Sequence, residues 1–134
     1  MREYIRHPAD IPIEITKADG VVRNRQPLNN ISIGGLSCQT DDYFENGTVV
    51  KIRIDLVKPV FEVFATVVWC RVLKDKFEIG VQYEDENDEF KLHMVEQICH
   101  IEHYRNEARI LEGRNLTGEE AAQEWIKKYA SKFP

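Results

Sequence analysis

Two short clusters carry residue types suited to holding a polar ligand. The first is Arg2-Glu3-Tyr4-Ile5-Arg6. Arginine presents a planar fork of N–H donors that matches phosphate oxygens and the O6/N7 edge of guanine. In extended backbone a spacing of four returns Arg2 and Arg6 to the same side, roughly 13 Å apart at 3.3 Å per residue. That reach suits a ligand with several acceptors. The second cluster is Asn30-Ile31-Ser32-Ile33-Gly34-Gly35. Asn30 and Ser32 share a face of an extended chain and offer an amide and a hydroxyl. Gly34 and Gly35 allow positive φ and close approach of the backbone to a ligand. The same residues can equally form an Asx or Ser/Thr turn with a glycine bend, and both roles can coexist.

Nothing in the chain poses as a catalytic group. There is no Ser-His-Asp order, Walker loop or GxGxxG, and the acidic residues are scattered as on solvated faces. A non-enzyme is expected. His93, His100 and His103 fall on one helical stretch, where Glu96–His100 and Cys99–His103 are i,i+4 pairs. Without HExxH or CxxC, no metal site is expected. Arg23, Arg25 and Arg71 read as surface residues that enrich the local positive field.

The 134 residues suit one compact domain, and 43% hydrophobic with 31% charged residues is an ordinary globular balance. A net charge of -5 argues against DNA or RNA as a partner, since phosphate neutralisation requires a basic field. A small anion held by a few converging arginines remains compatible. Cys38, Cys70 and Cys99 are odd in number and form no CxxC, and the N-terminus has no apolar h-region. These features fit a soluble, cytoplasmic protein without membrane insertion.

The elements that must position the clusters follow from periodicity. Residues 11–16 alternate apolar and polar, Asp19-Gly20 signals a hairpin, and 21–31 returns as a second strand. Strands are predicted at 36–40, 49–56, 60–73 (long and bent) and 77–83, separated by short turns. Arg6-His7-Pro8 should be extended, because proline disfavours helix in the preceding residue. From Asn87 or Asp88 the pattern turns helical: Phe90, Met94, Ile98, Ile101, Arg105 and Ala108 share one face up to Gly113. Thr117-Gly118-Glu119-Glu120 is a capping box for a last helix with the stripe Ala122, Trp125, Ile126, Tyr129, Phe133. That stripe should pack on the barrel, on the long helix or on a second chain as a homodimer. Residues 1–113 are thus expected to form the β domain with its long helix, and 114–134 a helical extension of it.

The R-x-x-x-R of Arg2 and Arg6, followed by N-x-S-x-x-G at Asn30, Ser32 and Gly35, resembles the signature of the PilZ domain family, R-x-x-x-R then [D/N]-x-S-x-x-G. ATVVWCRV and FEIGVQYED look like that family's closing strands, so the resemblance covers roughly residues 2–100. It implies a mainly β fold: a six- or seven-stranded antiparallel PilZ-type β-barrel with C-terminal α-helices. It implies a cyclic di-GMP receptor, with no further cofactor, that signals through a protein partner by ordering its N-terminal arm. The ligand would sit on the barrel's outer face, between Arg2 and Arg6 on one side and Asn30, Ser32, Gly34 and Gly35 on the other. Asn30 stands where much of the family has aspartate, keeping an acceptor, adding a donor and removing a charge. Trp69 matches an aromatic that lies against a guanine in similar proteins; a core tryptophan beside Phe64 and Val67 is the alternative. Met1 stands where many members carry a further arginine, which implies one ligand per chain. The alternative function is an adaptor that has lost nucleotide binding and acts through its long helix.

Overall fold

The computed structural model describes residues 6–17 and 23–129, with the backbone alone for 23–25. The described elements are β1 (His7–Pro8), β2 (Pro12–Lys17), β3 (Arg23–Ile31), β4 (Gly35–Thr40), β5 (Val49–Ile54), β6 (Phe61–Val72), β7 (Phe77–Tyr83), α1 (Asp88–Glu112) and α2 (Gly118–Tyr129). Every pairing is antiparallel, in the order β1-β3-β2-β5-β6-β7-β4, and β4 returns to β3. Strands β2 to β7 thereby close a six-stranded barrel, and β1 is an additional strand, as the sequence implied.

The strand alternation fills the barrel. Ile13 and Ile15, Val50, Ile52 and Ile54, Phe61, Val63, Ala65 and Val67, and Ile79 and Val81 all point inward and are buried. β3 serves three neighbours because it is long. Its first half pairs with β2, from Arg23↔Thr16 to Pro27↔Pro12, and its second half takes β4 on one edge and β1 on the other.

Two register shifts reshape the outer surface. In β3, Leu28 pairs with Cys38 and Asn30 with Ser37, so Asn29 is an extra residue. In β6, Val67 pairs with Val81 and Trp69 with Gly80, so Val68 is extra. A bulge resets the two-residue alternation. Leu28 and Ile31 are therefore both in the core although three apart, and Asn29 and Asn30 both face out. The same shift turns Val68 and Trp69 outward together.

Asn87 caps α1, its side chain accepting from the Phe90 N–H at 3.0 Å, and Gly113 ends the helix in the left-handed region at φ 67°. Met94, Val95, Ile98 and Ile101 join the barrel core, and Phe90 stacks on Phe61 at 5.0 Å. The Gln97 amide clasps both backbone groups of Lys58, fixing α1 to the β5–β6 connection. The predicted capping box forms: Glu120 N–H donates to Thr117 Oγ1 at 3.0 Å, and Thr117 N–H to Glu120 Oε1 at 2.9 Å. α2 then packs on α1 through Ala121, Ala122 and Trp125, with the indole stacked on His100 at 6.0 Å. The long helix thus covers the Ala122 and Trp125 part of the apolar stripe; Phe133 lies outside the described residues. Among those residues no helix is long and apolar enough to cross a membrane.

Trp125 is 5% exposed and Tyr129, on the same stripe, is 47% exposed. Trp125→Ala is expected to lower stability by about 3 kcal/mol, the cost of emptying a buried aromatic site. Tyr129→Ala should stay within about 1 kcal/mol of wild type. Chemical denaturation of both variants checks the difference.

A candidate ligand-binding face on the barrel

The second half of β3, β4, β7 and the far end of β6 lie side by side and form one stretch of outer wall. Cross-strand partners run Asn30↔Ser37, Ser37↔Gly80 and Gly80↔Trp69, a row across four strands on the outward face. The next row contains Glu78, opposite Gln39 and Arg71. At about 4.8 Å per strand the floor is about 14 Å wide from β3 to β6.

Arg6 closes one side of this floor. Its Nη1 donates to Asn30 Oδ1 at 3.1 Å, so the two sequence motifs meet across a separation of 24 residues. The chain after Arg6 is already tied down: His7 and Pro8 pair with Ile31 and Asn30, and Ala9 N–H donates to Asn29 O at 3.2 Å. The proline leaves β1 extended, as expected, and β1 adds to a strand edge. Arg2 and Tyr4 lie outside the described residues.

The N-x-S-x-x-G segment divides its labour differently from the expectation of a shared Asn30–Ser32 face. Ser32 is 2% exposed. Its Oγ accepts from Gly34 N–H at 3.1 Å and Gly35 N–H at 3.2 Å, and donates to Gly35 O. The hydroxyl closes the β3–β4 turn, because two successive glycine N–H groups there need an acceptor. The positive φ anticipated for Gly34 and Gly35 is also absent: among the described residues only Gly47 and Gly113 have it. What Gly35 supplies is closeness between strands. A Cβ there would stand 2.0 Å from the Val81 carbonyl oxygen, so the β4–β7 seam requires glycine. Asn30 is the part of the motif whose side chain faces the floor beside Arg6.

Trp69 settles neither as a core residue nor as a bare platform. The β6 bulge turns it outward, and the indole lies flat over Gly80, where any Cβ would come within 2.2 Å of the ring. The Arg71 guanidinium sits 5.8 Å from the ring centroid, within cation–π range. Arg71 is in turn paired with Glu78, whose other oxygen accepts from the Asn29 amide. Ser37 is buried in the middle of the row, and its Oγ has no hydrogen-bond partner among the described residues. Sequence reasoning missed Asn29, Ser37, Glu78 and Gly80, and left Arg71 as a surface charge. The available signal was the spacing of three between the core residues Leu28 and Ile31, and between the core residue Val67 and the half-buried Cys70, each marking a bulge.

The electrostatics agree with this geometry. Burial pushes the Tyr83 hydroxyl far above its ordinary range, and the nearby positive charge of Arg6 pulls partly against it. Burial likewise raises the Cys38 thiol beneath β4, so it stays an inert part of the core. The helical histidines have other work: His93 contacts Gln97, His100 stacks on Trp125, and His103 faces Glu107 at 3.2 Å. Among the described residues no group of three His, Cys, Asp or Glu side chains is placed to hold a metal.

The sequence matches the PilZ domain family over residues 1–99, and the chain belongs to that family. No protein of curated function matches it in sequence. Solved structures share the fold. The PilZ domain of YcgR from Escherichia coli, solved with c-di-GMP, superposes with a TM-score of 0.62 at 19% identity, covering 84% of this chain and 98% of that one. The PilZ domain of CeSA from a cellulose-synthesizing bacterium gives 0.56 at 20% identity over 74% and 99%. The inhibitor of motility MotI from Bacillus subtilis gives 0.55 at 21% identity over 73% of this chain, which spans about half of MotI.

The contact between Trp69 and Gly80 yields a direct check. Gly80→Ala should lift the indole off the wall, red-shift its fluorescence and make it more accessible to a neutral quencher. A Trp125→Phe background isolates the signal. Unchanged emission and quenching would show that the ring does not rest on Gly80.

Proposed function

We propose that this protein is a cyclic di-GMP receptor that binds the dinucleotide on the outer wall of its barrel and performs no chemistry on it. The observation that carries the reading is the Arg6–Asn30 contact at the edge of a polar floor that also contains Ser37, Gly80 and Trp69. The ligand has two phosphates and two guanines, and a charge-assisted arginine contact serves either. Ser37, a small residue in the centre of the floor, leaves the wall low there. Membership of the PilZ family and the c-di-GMP bound by the YcgR domain support this assignment.

In this reading Arg2 joins Arg6 over the ligand, and the arm upstream of Arg6 orders as it does so. His7 and Pro8 are paired with β3, so in this reading the segment that orders lies upstream of them. Ordering a residue costs about 1–2 kcal/mol, which phosphate and guanine contacts to Arg2 offset only when ligand is present. The closed arm displays Tyr4 and its neighbours to a protein partner in the cytosol. One ligand per chain is expected, since Met1 supplies no further arginine.

Two measurements follow. Arg6→Ala should weaken cyclic di-GMP binding at least tenfold by calorimetry, since hydrogen bonds to charged groups contribute about 1.5–3 kcal/mol. Wild-type affinity in the variant would remove Arg6 from the site, and a titration endpoint near two would contradict the single-ligand reading. Hydrogen exchange should show residues 2–5 gaining protection with ligand, while residues 7–9 stay protected throughout. Equal protection of 2–5 in both states would rule out the arm as the switch.

A further inference from the structure

We propose that Arg71, held in place by Glu78, is the residue that selects guanine over adenine at this site. The inference rests on the outer wall being the cyclic di-GMP site, and it assigns one task there to a side chain outside both sequence motifs.

Arg71 meets Glu78 side-on: its Nε and Nη2 both reach Glu78 Oε1. A guanidinium has a second bidentate edge, formed by Nη1 and the remaining Nη2 proton. The side-on pair leaves that end-on edge pointing away from the carboxylate. The arginine side chain is 67% exposed, whereas that of Glu78 is only 11% exposed. The clamp is therefore rooted in the wall while the fork projects from it. Glu78 is itself fixed, because Oε2 accepts from the Asn29 amide two strands away. The guanidinium also has a floor: Trp69 lies below it, wedged over Gly80.

An arginine held by a carboxylate and an aromatic ring loses less freedom when it captures a ligand, so its hydrogen bonds act with less entropic opposition. Its paired donors match the two acceptors O6 and N7 of guanine. Adenine offers N7 beside an N6 amino donor, which opposes one arm of the fork. Arg6 is held by Asn30 on β3, and Arg71 lies on β6, three strand spacings from Asn30 along the curved wall. Arg6 can therefore hold one part of the dinucleotide while Arg71 reads a base at the other.

The test is calorimetry on the full chain with cyclic di-GMP and cyclic di-AMP, comparing wild type with Arg71→Lys and Glu78→Gln. Lysine keeps the charge and loses the fork, and the exposed position makes it compatible with folding. For Arg71→Lys, cyclic di-GMP affinity should fall at least tenfold while that for cyclic di-AMP changes less than twofold. Glu78→Gln keeps the arginine and removes its charged clamp, so it should show a smaller loss in the same direction. Arg71→Lys holding cyclic di-GMP within twofold of wild type overturns the inference and leaves the receptor reading standing. Equal losses for both dinucleotides also overturn it, since Arg71 would then not discriminate between bases. Absence of cyclic di-GMP binding by the wild type would overturn both.

Discussion

The outer wall of this barrel depends on two interruptions of strand alternation. A regular strand sends every second side chain inward, so it cannot place two neighbouring polar residues on the solvent face while keeping its core residues buried. The extra residues at Asn29 in β3 and Val68 in β6 relax that constraint. Asn29 and Asn30 emerge together, one turned to Glu78 and the other to Arg6. Val68 and Trp69 likewise emerge together, and Trp69 reaches Gly80. Between the bulged strands, β4 and β7 contribute residues with little or no side chain, Ser37 and Gly80, and the wall becomes a shallow floor. Gly35 lets the two inner strands approach by leaving room for the Val81 carbonyl.

The C-terminal helices stabilise that wall from behind. α1 sends Met94, Ile98 and Ile101 into the barrel core and stacks Phe90 on Phe61, which itself meets Tyr83 edge-on at 5.4 Å. Tyr83 ends β7, the strand that carries Glu78 and Gly80. The helices also reach the chain just after Arg6. Arg105 of α1 pairs with Asp10 at 2.9 Å and takes the Leu116 carbonyl at 2.8 Å, and Gly118 at the start of α2 leaves no room for a Cβ against Asp10. The segment that follows Arg6 is thus held by both helices and by β3.

Much of this was legible in the sequence because it follows from local rules. Alternation located the described strands to within about two residues at most ends, and the short connections pointed to a small antiparallel barrel. Asn87, Gly113 and the Thr117–Glu120 box marked helix ends whose caps form as expected. The family signature singled out Arg6 and Asn30 separately, and the fold brings the two into contact. The remainder depends on pairings that no local pattern encodes. Glu78 meets Asn29 across 49 residues of sequence, and Trp69 rests on Gly80 only because β6 slips by one residue. Ser32 looked available to a ligand because strand periodicity placed it beside Asn30. In the fold its hydroxyl also closes the turn, since Gly34 and Gly35 both donate to it.

The central claim is that a cyclic dinucleotide binds the wall formed by the ends of β3, β4, β7 and β6. Titration of isotope-labelled protein with cyclic di-GMP, followed by amide and side-chain NMR, tests it most directly. The account predicts saturable shifts concentrated at Asn29, Asn30, Ser37 and Gly80 and at the indole N–H of Trp69, with α2 undisturbed. Shifts confined to the helices, or a spectrum unchanged at saturating nucleotide, would contradict it.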